Sequence, residues 1–432
     1  MLIKEKKMIK IKTDLILSLL ITLSMLFYAI RGKIGALLIT LFIFIFIIYL
    51  IKNNKNINKS FSSFYAIFIL IFALIFGVYR NINFEFYLFI GYFAAALVLL
   101  NNNLNIYDKV WNILGKFSLF EAFGIFMQKL FPNIYYSFIS IVLPSNVVYS
   151  IKNRLLEGYY TGFTREVSFT MFFIVIGLGI YLFDILKKDK ENIDSNYKIK
   201  KYFKILFLFA ALVVSGKRAT LIFFLLTIFI IQFIRSKDSL KIGKYLGIGS
   251  GLLLLLYISF PLWSKIESLS RIVELLTFIK EKNIIGITNG RNLIYQNAID
   301  LWNTNRIFGI GWGNFKYMVN GALWYAGFDV HNCYLQILCE NGLIGAAVFY
   351  TLTIISIFRF VKCLKKAREC GDGYIYKLSL ITAYVQIFFI IYSFTEPILY
   401  EYTDYIIYFI SININNLLLY KLETKKDEKV LV

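Results

Sequence analysis

The sequence predicts an all-α polytopic membrane protein, and three observations carry that reading. First, 59% of the 432 residues are hydrophobic and the mean hydropathy is +0.67. Second, only 17% are charged, against about 25% in a soluble domain. Third, apolar runs of membrane-spanning length recur along the whole chain, and a span needs about 20 mostly apolar residues to cross roughly 30 Å of hydrocarbon. Lipid offers the backbone no hydrogen bonds, so the spans are helices. Residues 1–432 read as a single polytopic domain, with no Pro- or Ser-rich linker, no soluble domain and no clear repeat.

Twelve spans are expected, at about 14–30, 34–51, 61–79, 84–100, 117–131, 167–186, 204–215, 219–234, 245–262, 343–360, 376–395 and 402–420. The basic N-terminus "MLIKEKKMIKIKTD" precedes an apolar run with no small-residue cleavage site after it, so it reads as an uncleaved first span. The segments 1–13, 52–60, 101–116, 187–204, 235–244, 359–377 and 421–432 fall on one side and hold most of the Lys and Arg. The positive-inside rule makes that side cytoplasmic, with both termini there. The net charge of +21 is therefore mainly topological, and nucleic-acid binding is excluded because no basic stripe lies on one soluble fold. The Asn-rich patches "KNNKNINK" and "NNNLN" read as solvated loops. Two long segments remain outside, 132–166 and 263–342. The second is too long for a mere connector and is expected to carry short helices and function.

Cys333, Cys339, Cys363 and Cys370 form no CxxC, and one histidine cannot complete a zinc set. They read as structural, and no metal or cofactor is expected.

Chemistry concentrates in four places. "SGKRATLI" interrupts an apolar stretch from Ile205 to Ile234 that suits two short spans and a tight outer turn. Lys217 and Arg218 then sit near the outer membrane face, either as a snorkelling pair or as functional cations. In "TNGRNLIYQNAIDLWNTNRIFGIGWGNF", Asn289-Gly290 reads as a turn and Arg291 opens a helix with Leu293, Ala298, Leu301 and Trp302 on its apolar face. Arg291 is either a solvated helix end or a ligand for an anion. "GIGWGN" lacks the βαβ context of a dinucleotide loop, so its glycines read as a tight turn near the membrane. In "DVHNCYLQILCENGLIG" a short helix stops at Asn341-Gly342, with Leu335, Leu338 and Cys339 on one face. The only histidine, His331, stands at its start, and a lone histidine is either structural or, with an ordinary pKa near neutrality, a general base. Glu166, in "YYTGFTREVSFT", lies beside Arg165 on the outer side, as a local ion pair or a working carboxylate. Arginines that hold an anionic diphosphate, and a neutral histidine that takes a proton from a sugar hydroxyl, equip a site for metal-independent glycosyl transfer.

These segments resemble the O-antigen ligase/O-antigen polymerase superfamily of bacterial membrane glycosyltransferases. The match is strongest within 285–350, where Arg291, Trp302, "FGIGWGNF" and "HNCYLQILCENGLIG" keep the family's order and spacing. "SGKRATLI" is similar to its S-x-R segment, and "GFTREVSF" to its G-x-x-x-EP segment, with Val167 where the family has Pro. The resemblance implies an undecaprenyl-diphosphate-linked glycan donor and an extracytoplasmic site in the cytoplasmic membrane. It implies that Arg218 and Arg291, with Lys217 beside them, bind the diphosphate, and that His331 activates the acceptor hydroxyl, with inversion at the anomeric carbon. Glu166, Asn332 and Gln336 are expected to support them, and Trp302, Trp312 and Trp324 to stack on sugars or anchor the interface. Expected partners are the lipid-linked glycans, the membrane, and a flippase and chain-length regulator of the same pathway. The expected activity is a polymerase that transfers a growing glycan onto a lipid-linked repeat unit, in capsule, exopolysaccharide or O-antigen synthesis. The alternative within the family is a ligase that moves finished glycan to a lipid, protein or wall acceptor. Abundant Ile, Lys and Asn suggest an AT-rich, Firmicute-like genome, which lacks a lipopolysaccharide core and tilts the choice to polymerase. A transporter or flippase of lipid-linked sugars would need inverted repeats and broken helices at the midplane, and neither is evident.

Overall fold

The structure is a computed structural model that describes residues 2–30, 32–52, 61–75, 86–186, 195–236, 277–319 and 327–430. Among these residues there are helices and no strand. In chain order they are α1 (Leu2–Ile30), α2 (Gly32–Lys52), α3 (Phe61–Phe72), α4 (Phe86–Leu100), α5 (Leu104–Leu130), α6 (Pro132–Val142), α7 (Ser145–Leu156), α8 (Val167–Leu186), α9 (Ser195–Val214) and α10 (Arg218–Arg235). Then follow α11 (Ile284–Thr288), α12 (Arg291–Thr304), α13 (Phe315–Met318), α14 (Cys333–Cys370), α15 (Gly373–Tyr392) and α16 (Tyr402–Val430).

Among the described residues, seven stretches are long and apolar enough to cross a membrane: Thr13–Ile30, Lys33–Lys52, Leu104–Leu130, Val167–Ile185, Arg218–Arg235, Cys333–Cys370 and Gly373–Tyr392. The other five of the twelve expected spans stand as follows. The expected span 245–262 lies outside the described residues. Phe61–Ile75 and Phe89–Leu100 are apolar but shorter. α9 opens on a lysine-rich turn. α16 is polar because it has no lipid face: residues 402–419 are all buried, among α15, α14, α4 and α1. A helix enclosed on every side can carry polar groups if neighbours satisfy them. Asn413 donates to the carbonyls of Val98 and Asn101 at 2.8 and 2.7 Å, and Asn416 donates to Ser62 Oγ at 3.0 Å.

The "NNNLN" patch departs from the expected solvated loop. Asn101 is buried. Asn103 caps α5 by accepting from the Asn105 amide and donates to Asp14 Oδ1 at 2.9 Å. Asparagine favours an N-cap because its short side chain reaches the orphan amides, so α5 begins well before the expected 117. The segment 132–166, expected outside, also has structure: Tyr135 and Ile139 of α6, Val148 and Ile151 of α7, and Phe163 pack into a small apolar core.

α14 is two helices in one. Gly342 breaks it with φ 64° and ψ −167°, a region open essentially only to glycine. The expected stop at Asn341-Gly342 is thus a real break, and the long helix restarts at Leu343. Gly309 (φ 70°) lies against it. A Cβ on Gly309 would sit 2.3 Å from the Glu340 carbonyl carbon, and one on Gly342 would sit 2.3 Å from Ile307 O. Contact this close permits four backbone hydrogen bonds: Ile310 N to Cys339 O (3.0 Å), Gly311 N to Glu340 O (2.8 Å), Leu343 N to Arg306 O (2.9 Å) and Ile344 N to Ile307 O (3.2 Å). These satisfy the carbonyls and amides that a helix break leaves open.

Gly342→Ala is expected to cost about 3 kcal/mol or more, since it combines a disallowed backbone with an immovable clash. Thermal unfolding of the purified protein in detergent reads this directly, and an unchanged midpoint would mean the break is not held by this contact.

Candidate functional site

Five segments meet at one end of the bundle: the start of α8, the turn between α9 and α10, the start of α12, the strap 329–332 before α14, and the loop 393–401 between α15 and α16. The α9–α10 turn is as tight as "SGK" implies. Gly216 has φ 79°, and the Ser215 carbonyl accepts from Tyr160 N at 3.2 Å. That turn presents Lys217 inward, with 12% of its side chain exposed.

The hub is Glu396. Its Oε1 is 2.9 Å from Lys217 Nζ and 3.4 Å from Arg291 Nη2. Ser168 Oγ donates to its Oε2 at 3.1 Å and accepts from Lys217 Nζ at 2.5 Å. Arg291 also donates through Nη1 to the Thr395 carbonyl at 2.7 Å. The loop that carries Glu396 is itself pinned: Cys333 N donates to Ser393 O at 2.8 Å, and Cys333 Sγ donates to Glu396 O at 3.1 Å. Burial alone would raise the Glu396 carboxyl, but Lys217, Arg291 and His331 outweigh it and hold it at about 2.

His331 stands over this cluster in a left-handed backbone, with φ 56°. A non-glycine residue held there costs on the order of 1–3 kcal/mol and tends to mark a functional position. The strap that imposes it is well tied. Asn332 caps α14 by accepting from Leu335 N at 3.1 Å. Buried Gln336 accepts from Val330 N at 3.2 Å and donates to Asp329 Oδ1 at 3.0 Å. Tyr295, one turn beyond Arg291 on α12, reaches the His331 carbonyl at 3.4 Å. One helix therefore touches both Glu396 and His331. His331 Nδ1 is buried without a hydrogen-bond partner among the described residues. Burial, first, pulls the imidazole down to about 4; Glu396 opposes this, while Arg291, Lys217 and Arg154 add to it. The ring is therefore neutral at pH 7.

The other expected residues fall as follows. Arg218 is the first residue of α10 and partly buried. Glu166 pairs with Arg154 of α7, Nε to Oε2, at 3.3 Å, not with its neighbour Arg165, which reaches Glu401 at 3.3 Å. Trp312 is buried against Phe72, Tyr92 and Tyr400, so it is a packing residue rather than a sugar platform. Trp302 Nε1 donates to Arg306 O at 3.2 Å, and Trp324 lies outside the described residues. The buried face of α12 is Ile294 and Ala298 rather than Leu293, which is 40% exposed. Cys333, Cys339 and Cys363 are buried and Cys370 is exposed. Among the described residues no three His, Cys, Asp or Glu side chains are grouped to hold a metal ion.

Sequence reasoning missed two carboxylates. Glu340 is fully buried and accepts from Gly313 N at 2.8 Å, Phe315 N at 3.1 Å and Tyr400 OH. It fastens the "GIGWGNF" turn to the helix behind His331. Glu396 carried a signal: the Glu-Pro pair sought at 166–167 stands at 396–397. Arg154, which acts on His331, carried none.

Residues 203–350 match the family model described as O-antigen ligase. The match takes in Lys217, Arg218, Arg291, His331 and Glu340 but stops short of Glu396. No curated protein matches the chain.

Glu340→Ala would leave buried donors unpaired, at about 1–3 kcal/mol each. The expected result is a loss of at least about 3 kcal/mol in detergent unfolding. A loss no larger than for an exposed carboxylate such as Glu157 would refute this role.

Proposed function

We propose, from the premise that this chain belongs to the O-antigen ligase/polymerase family, that it is a polysaccharide polymerase. It transfers a growing glycan from undecaprenyl diphosphate onto a lipid-linked repeat unit. The supporting observation is the convergence of Lys217 and Arg291, from distant parts of the chain, on one buried carboxylate beside a neutral histidine. Cations that gather round an internal anion are arranged to gather round a bound one. In this reading twelve spans place both termini in the cytoplasm and the site at the outer face of the cytoplasmic membrane.

The chemistry is an inverting displacement without a metal. The acceptor hydroxyl gives its proton to His331 while its oxygen attacks the anomeric carbon. The bond from that carbon to the diphosphate oxygen breaks, and the electron pair leaves with the diphosphate. Arg291, Lys217 and Arg218 stabilise that developing charge. Arginine's planar fork suits this better than a point charge does. A base held at about 4 is weak in the empty protein. A bound diphosphate offsets the two cations that depress it, so the base strengthens when the donor is in place.

Two measurements test this. In cells whose only copy carries His331→Ala, lipid-linked intermediates are resolved by mass. Single repeat units accumulating on undecaprenyl diphosphate are expected of a polymerase. Long glycan retained on that lipid would favour a ligase, the activity the family description names. A normal pool would remove His331 from the mechanism. In purified protein, the acid limb of kcat/KM reports the free enzyme and that of kcat the bound complex. His331 must be neutral to act, so kcat/KM should fall only as pH drops towards about 4, and the kcat limb should lie at higher pH. Coincident limbs would deny the coupling between donor and base.

A further inference from the structure

Building on the diphosphate site just proposed, we infer that Glu396 is its specificity-determining residue. In the empty protein its carboxylate occupies the anion position between Lys217 and Arg291. The donor must displace it, and this selects a doubly charged diphosphate over the singly charged phosphodiester headgroups of the surrounding membrane.

The geometry supports displacement. Glu396 Oε1 is shared by the two cations at 2.9 and 3.4 Å, so one oxygen stands where a bridging phosphate oxygen would stand. The Glu396 side chain is 5% exposed and that of Arg291 is 27% exposed, so an arriving ligand meets Arg291 first. Two cations and one internal anion leave one net positive charge. A phosphodiester headgroup that replaced the carboxylate would exchange one negative charge for another. It would also compete against a tethered group, whose effective concentration is at least about millimolar. That exchange gains nothing. A lipid-linked diphosphate brings two negative charges to two cations, so its exchange leaves one more attractive pair than before. Discrimination then comes from a built-in competitor that only the more highly charged ligand overcomes. Ser168 sets the strength of that competitor, since it donates to Glu396 Oε2.

The test uses the full chain in detergent micelles, with undecaprenyl diphosphate as the probe and phosphatidylglycerol as the singly charged competitor. Wild-type protein should bind the probe with little competition from phosphatidylglycerol. Glu396→Gln keeps the shape and removes the charge. It should bind the probe about tenfold tighter, and phosphatidylglycerol should now compete. If Glu396→Gln does not fold, Glu396→Asp serves: it keeps the charge but is too short to span both cations, and should also bind the probe more tightly. Weaker probe binding in whichever variant folds, or unchanged selectivity, would overturn the inference and make Glu396 a positioning residue that stays in place. Arg291→Ala and Lys217→Ala separate this from the site itself. If both leave wild-type-level probe binding, the diphosphate site is wrong, and this inference falls with it. If both abolish binding while Glu396→Gln weakens it, only the inference falls.

Discussion

Gly309 and Gly342 press backbone against backbone, and the site depends on that contact. No side chain fits between them, so the turn at 306–311 and the break at 341–343 share their hydrogen bonds directly. The break ends the short helix that follows His331. The turn follows α12, which carries Arg291. Joined at this point, the two helices cannot slide relative to one another. Glu340 adds a second fastening a residue or two away. His331 and Arg291 are thus placed by main-chain geometry, which is stiffer than any pair of long side chains.

Charge at the cluster is partly balanced within the protein, two cations sharing one carboxylate. Lys217, Arg291 and Glu396 lie close together where water is scarce, and each would be costly there alone. The pairing gives both cations an internal anion. It also keeps them extended and oriented, with Ser168 and the Thr395 carbonyl completing the set. His331 is affected by all three charges yet makes no ion pair with them, so its proton affinity follows the charge state of the cluster.

Much of this was legible in the sequence, and the boundary has a physical meaning. The all-helical class, the Asn289-Gly290 turn, the tight "SGK" turn and the helix stop at Asn341-Gly342 are local, set by hydropathy, turn chemistry and glycine. His331 was visible as the only histidine, Lys217 because it interrupts an apolar run, and Arg291 because it opens a helix after the Asn289-Gly290 turn. What was not legible is long-range. Glu396 lies beyond the matched segment and reaches its partners only through packing. Arg154 was one basic residue among many until α7 carried it toward His331. The expected span at 402–420 is a helix, α16, but its polar character answers to protein neighbours, because hydropathy measures contact with lipid and this helix has none. Asn101 was misread for a related reason: an asparagine run looks solvated until a buried helix supplies its partners.

The burial of α16 has a consequence for biogenesis. This helix follows all its neighbours in the chain, yet they close around it from every side. During synthesis the preceding spans enter the bilayer with an unfilled centre, and their inward asparagine, tyrosine and backbone partners stay unmatched until α16 inserts. The loop bearing Glu396 arrives immediately before it. Closure of the interior and assembly of the Glu396 cluster therefore coincide: a nascent chain cannot complete that cluster before α16 has sealed the interior.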